Sequence, residues 1–167
     1  MATPDGISDR DWGKVHTLAL LLVTASVTSK KKANKAYSQK LLRYLNRLEV
    51  KYGELPSILA TRACYIVGNK RKETLLCRAY RLSMQRNDLL NQAEIAHSLS
   101  SLYIENLRRY REGINWLGKL KAHARKAKDK YLEQEYDRLR LEAQKIKAKS
   151  GKPASSIREH ERGGVGS

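Results

Sequence analysis

The residues with the clearest chemical potential in this chain are basic. Lys30-Lys31-Lys32, Lys70-Arg71-Lys72 and Arg108-Arg109-Tyr110-Arg111 recur about 39 residues apart. Clustered ammonium and guanidinium groups suit a polyanion: nucleic-acid phosphates or the carboxylates of an acidic protein. A second basic region follows, Lys119, Lys121, His123, Arg125, Lys126, Lys128 and Lys130, and then a third, Lys145, Lys147, Lys149 and Lys152. No other residue types form a catalytic pattern. His16, His97, His123 and His160 have neither a metal-ligand spacing nor a neighbouring nucleophile. Gly163 to Gly166 do not precede a helix, as a phosphate loop requires. Glu133 and Asp137 suit a solvated helix face. Cys64 and Cys77 each sit among apolar residues, as expected of two buried thiols in a reducing compartment rather than a disulfide or metal site. The chain is therefore expected to be no enzyme and to need no metal or cofactor.

The whole composition shares the bias. The 167 residues include 34 Lys and Arg against 17 acidic residues, a net charge of +17. The length suits one compact domain with a tail. The most apolar run, Val15 to Val27, carries His16 and several Thr and Ser, and is too short to span a bilayer. The segment before it holds Asp5, Asp9 and Asp11, unlike the positive start of a secretory signal. A cytoplasmic protein without a membrane span is expected.

The elements that must position the clusters are helices. Gly and Pro are scarce between residues 14 and 150, and no stretch alternates over strand length. Residues 1–10 are expected to be a flexible N-terminus, with Asp9 or Asp11 capping a first helix from about Trp12 to Val27. That helix is almost wholly apolar from Leu18 to Val23, so deep burial is expected. A second helix, Ala33 to Tyr52, carries Tyr37, Leu41, Leu45 and Leu48 on one stripe and stops at Gly53. Pro56 opens a third, to Val67, and Gly68-Asn69 closes it. A fourth spans Lys72 to Gln85, and Asn87-Asp88 turns the chain into a fifth, Leu90 to Glu105, with Ile95, Leu99, Leu102 and Asn106 in phase. A sixth starts near Glu112. A seventh carries Leu132, Tyr136, Leu139, Ala143 and Ile146, and either continues the sixth or folds back as a cap, with Asp129 permitting a break. The helical domain is thus expected over residues 11–149, and a flexible basic, Gly-rich tail over 150–167.

Two helices per unit at this period are the layout of a helical repeat. Ala93 to Tyr103 resembles the first helix of a tetratricopeptide repeat: Leu99, small Ser100 and Tyr103 fall where that family has leucine, a small residue and an aromatic. Tyr110, Glu112, Gly113 and Ile114 resemble its second helix, after a turn one residue longer than usual. The likeness is best over residues 93–126, weaker over 56–87, and over 12–52 rests on period alone. It implies an all-α fold: three antiparallel helix pairs stacked as a short solenoid, with a C-terminal capping helix. It also implies a concave groove for a protein or peptide, faced by Glu94, His97, Ser101 and Ile104. The family's carboxylate-clamping variant has Lys and Asn in such positions; His97 and Ser101 stand there instead.

In that layout Lys30, Lys31, Lys32, Lys70, Arg71, Lys72, Arg108, Arg109 and Arg111 fall on the inner turns of three hairpins, forming one edge. Each turn joins a helix C-terminus, where cations are favourable, to an N-terminus, where they are not, so stability does not account for them. Lys119, Lys121, Arg125, Lys126 and Lys128 form a secondary basic region. Tyr110 is expected to pack as the repeat's buried aromatic rather than stack on a base. The function expected is a non-enzymatic adaptor that holds a protein partner in its groove and an acidic protein or nucleic acid at its edge. The alternatives are a sequence-independent RNA- or DNA-binding protein and a chaperone dedicated to one client.

Overall fold

In the computed structural model, residues 3–28 and 31–150 are described. They form seven α-helices, with no strand among the described residues: α1 (Asp9–Val27), α2 (Lys31–Tyr52), α3 (Pro56–Tyr65), α4 (Asn69–Gln85), α5 (Leu89–Ser101), α6 (Tyr110–Ala127) and α7 (Lys130–Ser150). A π-helical turn, Leu102–Asn106, extends α5. Lys30 and residues 151–167 of the expected tail lie outside the described residues.

The helix limits follow local chemistry. Ser8, Asp88 and Asp129 accept backbone N–H bonds from Asp11, Asn91 and Leu132, capping α1, α5 and α7. Pro56 occupies the first turn of α3, where its missing N–H costs nothing. Gly53 (φ 78°) and Gly68 (φ 98°) take left-handed backbone that a side chain would strain. The seventh helix is separate: Lys128 adopts φ 55°, its successor's N–H bonds to Ala124 C=O, and α7 turns back against α6.

Each helix packs on the next, and α5 also touches both α3 and α7. Polar contacts fix the directions. Asp11 near the start of α1 meets Lys51 and Tyr52 at the end of α2, at 2.7 Å each. Glu54, just before α3, pairs with Arg78 late in α4 at 2.8 Å. Glu73 early in α4 accepts a bond from Tyr103, beyond α5, whereas Ser83 late in α4 meets Gln92 early in α5. Successive helices are therefore antiparallel. The starts of α3 and α5 sit together beside the N-terminal segment: Ser57 N–H and Oγ–H donate to Asp5 (2.8 and 2.9 Å), and Asn91 Nδ2 donates to Ser57 Oγ (3.2 Å).

Three apolar clusters run along the assembly. Val15, Leu22, Leu41, Leu45 and Leu48 fill the first hairpin; Leu59, Leu76, Ile95 and Leu99 the middle; Leu117, Leu120, Leu132 and Leu139 the last. Burial of such side chains is the main favourable term in folding, about 25 cal/mol per Å² removed from water.

Several expectations change. Residues 3–8 are irregular but anchored, because Ile7 is fully buried and its N–H bonds to Thr3 Oγ1 at 2.8 Å. Helix α1 is not deeply buried. Only Val15, Leu22 and Ala25 reach the core, and Leu20, Val23 and Val27 face outwards, since α1 packs on α2 alone. Val67 is exposed because α3 ends at Tyr65 and Ile66 is extended. Cys64 is exposed rather than buried, and Cys77 is partly covered; both are free.

Candidate polyanion-binding edge

Antiparallel order places the end of α1, the end of α3 and the π turn at one end of the assembly, together with the starts of α2, α4 and α6. The basic clusters gather there, two of them inside helices and the third partly in the connection before α6. Lys31 and Lys32 lie in the first turn of α2, and Lys70, Arg71 and Lys72 in the first turn of α4. Arg108 and Arg109 precede α6, and Arg111 lies inside it. All of these side chains are exposed except Lys72, which is half-buried, and none is ion-paired with a described residue.

In α2 and α4 this placement removes the balance that turn positions would have. A helix N-terminus carries the positive end of the helix dipole and unbonded N–H groups, so cations there are unfavourable and anions are attracted. Helix α4 begins at Gly68 with no side-chain cap and no acidic residue in its first turn. Helix α6 begins at Arg109, also without a side-chain cap, with Glu112 as the acidic residue of its first turn. Of the four helices that start at the opposite end, α1, α5 and α7 are capped by Ser8, Asp88 and Asp129, whereas α3 follows Leu55 without a side-chain cap from that residue and its Ser57 N–H donates to Asp5. Three side-chain caps thus lie at one end, and exposed cations surround the open N–H groups of α4 and α6 at the other.

Left-handed backbone occurs at both ends, at Arg108 and, after α4 and α6, at Asn87 (φ 53°) and Lys128. Arg108 holds φ 56°, with Arg109 N–H bonded to Tyr103 C=O at 2.8 Å across it. Glycine is the usual occupant of this left-handed closing position, and another residue there costs about 1 kcal/mol or more. Lys128 holds φ 55° in the equivalent position after α6.

No protein-family model, no curated protein and no solved structure matches this chain. The reading of the site therefore stands on its residues.

The secondary basic region is less open than its sequence suggests. Lys121, Arg125, Lys126 and Lys128 are exposed, but Lys119 lies 3.9 Å from the Trp116 ring centre and 5.1 Å from that of Tyr80. Lys121 lies 5.5 Å from Tyr136. His123 is buried, with Nε2 bonded to Tyr80 Oη at 2.7 Å; burial, then Lys126 and Lys119, push its pKa down. In the third region Lys145 approaches Glu142 at 3.8 Å, and Lys147 lies over the Tyr110 ring at 5.9 Å. Tyr110 itself is half-buried against the last core cluster, as expected.

The four residues expected to face a groove separate. Glu94 is exposed. His97 is half-buried and bonds Glu135 of α7 at 3.0 Å. Ser101 donates to Glu105, which binds Arg138 of α7 at 2.8 Å. Ile104 is 1% exposed and packs against Gly113 of α6, where an added Cβ would lie 2.5 Å from Ile104 Cγ1. Glu94, His97 and Ser101 precede the π turn, so that turn bears on Ile104 alone. Leu107 N–H bonds to Leu102 C=O, five residues back, so the turn holds one residue more than α-helical spacing allows. The face then slips by about 100°. Ile104 rotates into the core, Asn106 rotates out, and Glu105 takes the position beside α7.

Among the described residues no cluster of His, Cys, Asp and Glu is placed to hold a metal ion, and no helix is long and apolar enough to cross a membrane.

Proposed function

We propose that this protein is a non-enzymatic cytoplasmic adaptor built from tetratricopeptide-like hairpins, which binds an acidic partner along its basic edge. The observation that carries the reading is the cation set at the uncapped starts of α4 and α6, without ion pairs to the described residues. The arrangement costs stability, and an anion seated there would reverse the cost by meeting the cations and the open N–H groups together. The hairpin-on-hairpin contacts, with α5 touching α3 and α7, support the repeat-like build. The expected groove contributes less to the reading, because α7 engages His97, and Ile104 is core. Partner contact is therefore assigned to the edge.

A second reading, sequence-independent RNA or DNA binding, is favoured by four guanidinium groups in the edge: Arg71, Arg108, Arg109 and Arg111. Arginine matches phosphate bidentately, where lysine is a point charge. Fluorescence-anisotropy titration with labelled polyglutamate and labelled single-stranded RNA separates the readings. The adaptor reading expects binding of polyglutamate that weakens as salt rises and is abolished by replacing Lys70, Arg71, Arg108 and Arg109 with Glu. Binding of RNA alone supports the second reading. Undiminished binding by the substituted protein overturns both.

A further inference from the structure

The outer face of α2 is a second basic surface, separate from the edge. Lys40, Arg43 and Arg47 are exposed there, facing away from buried Leu41, Leu45 and Leu48. Lys51 continues the row by one turn and pairs with Asp11 of α1 at 2.7 Å. Lys14 of α1 joins its flank, 5.0 Å from the centre of the Tyr44 ring. Lys40 lies about two turns beyond Lys32, the last edge residue of α2. At its far end the row borders a cavity of about 270 Å³ lined by Ser8, Arg10, Asp11, Lys14, Tyr44 and Lys51. The Asp11 carboxylate there is already met by Lys51, Tyr52 and Tyr44. That leaves Arg10 and Lys14 as the further charged groups of the lining.

The fold does not account for this row. Helix α7 is comparably rich in cations, but it interleaves them with Glu133, Glu135, Asp137 and Glu142. Its Arg138 and Lys145 pair with Glu135 and Glu142, three residues back. In α2 the pairs Lys40–Arg43, Arg43–Arg47 and Arg47–Lys51 set like charges three or four residues apart, which destabilises a helix. From Trp12 to Leu48 the chain has no Asp or Glu. Glu49, the acidic residue of α2, is held by Arg62 of α3 at 2.6 Å. Among the described residues no carboxylate pairs with Lys14, Lys40, Arg43 or Arg47.

The class of ligand follows from what the face offers. Its exposed neighbours are Ala36, Gln39 and Asn46, and Val50 is the one exposed large apolar residue of α2. Tyr37 and Tyr44 are half-buried, with Lys40 and Lys14 over their rings. A protein interface is held by a cluster of apolar and aromatic anchors, and a single strand by stacking on exposed aromatics. The face has neither. A duplex asks for neither, because it presents a stiff row of phosphates and is held largely through them. From Lys40 to Lys51 the row is about 16 Å long. One strand carries a phosphate about every 3.4 Å of axis, so the row spans about five.

We infer that the outer face of α2 binds the phosphate backbone of a nucleic-acid duplex without reading its sequence. Lys40, Arg43 and Arg47 meet phosphates along one strand, the two guanidinium groups bidentately, and Lys14 adds a flanking contact. The inference does not rest on the edge reading, since no residue of the row belongs to the edge.

The test is anisotropy titration of the full chain with a labelled duplex RNA of about 20 base pairs and a duplex DNA of the same sequence. Binding is expected, weakening as salt rises, and a preference for either duplex identifies the source. Arg43→Glu with Arg47→Glu is expected to weaken it about tenfold or more and to lower the salt slope by about two. The same change removes like-charge pairs from α2, so the urea midpoint is expected to hold or rise. Arg43→Gln with Arg47→Gln, which adds no carboxylate and suits a helix, is expected to weaken binding in the same direction. Polyglutamate binding is expected not to depend on Arg43 and Arg47. Binding of neither duplex, or duplex binding unchanged in both double variants, overturns the inference. Duplex binding that the edge substitution removes and the α2 substitutions leave intact overturns it in favour of the edge. Polyglutamate or single-stranded RNA held more tightly than a duplex through Arg43 and Arg47 overturns it in favour of an acidic protein or a single strand.

Discussion

His97 on α5 and Glu135 on α7 meet at 3.0 Å, and the same carboxylate accepts a bond from Arg138 Nε at 2.9 Å. Arg138 also reaches Glu105 at 2.8 Å, so one guanidinium ties α7 to the end of α5 through the carboxylate that the π turn delivers. Arg138 is half exposed, so its loss is modest: Arg138→Ala is expected to cost about 0.5–1 kcal/mol. Thermal unfolding is expected to shift down by about 1–4 °C.

The same network sets an acid dependence. Burial pushes the Glu105 and Glu135 carboxyls up, but hydrogen bonds from Arg138, with Ser101 at Glu105 and His97 at Glu135, hold both below the ordinary glutamate range. A depressed folded-state pKa contributes stability that is present above the unfolded pKa and is lost as pH falls through the folded value. Urea midpoints are therefore expected to fall on acidification below about pH 4.3. Glu135→Gln is expected to flatten that decline. An unchanged slope in the variant would remove Glu135 from the account.

Gly113 and Ile104 predict a packing effect. Gly113→Ala improves helix propensity by about 1 kcal/mol, but the new Cβ would meet Ile104 Cγ1 at 2.5 Å. Overpacking costs about 1–3 kcal/mol, and the neighbour atom belongs to a buried side chain with little room to move. Net destabilisation is expected in urea, and combining the change with Ile104→Ala is expected to cost less than the sum of the two.

Much of this fold was legible in the sequence, for identifiable reasons. Gly53, Pro56, Gly68 and the Asn87-Asp88 pair mark helix limits through backbone rules that hold without tertiary context. The stripes of α2 and α7 reach the core as their periodicity requires. Apolar content misled at α1, because hydrophobicity does not report whether a partner helix is present to cover it. The repeat resemblance misled at Ile104, which is core, and periodicity misled at Asn106, which is exposed, because no residue type marks the π turn between Leu102 and Leu107. The basic clusters were visible, but not that those of α2 and α4 start helices rather than join them. That difference depends on helix limits of two or three residues, the least readable feature of a sequence.

Arg108 offers a test in which stability and binding move in opposite directions. Arg108→Gly relieves left-handed strain and is expected to stabilise the protein by about 1 kcal/mol. It also removes one cation from the edge, so binding of a polyanion is expected to weaken and its salt slope to drop by about one charge. A variant that loses stability would show that Arg108 serves the fold.

The most direct measurement of the central claim is affinity purification of the full chain after nuclease treatment, beside the Lys70, Arg71, Arg108 and Arg109→Glu variant. The account predicts protein partners that survive nuclease with the native chain and are lost with the variant. Partners retained by the variant, or lost from the native chain on nuclease treatment, would contradict it.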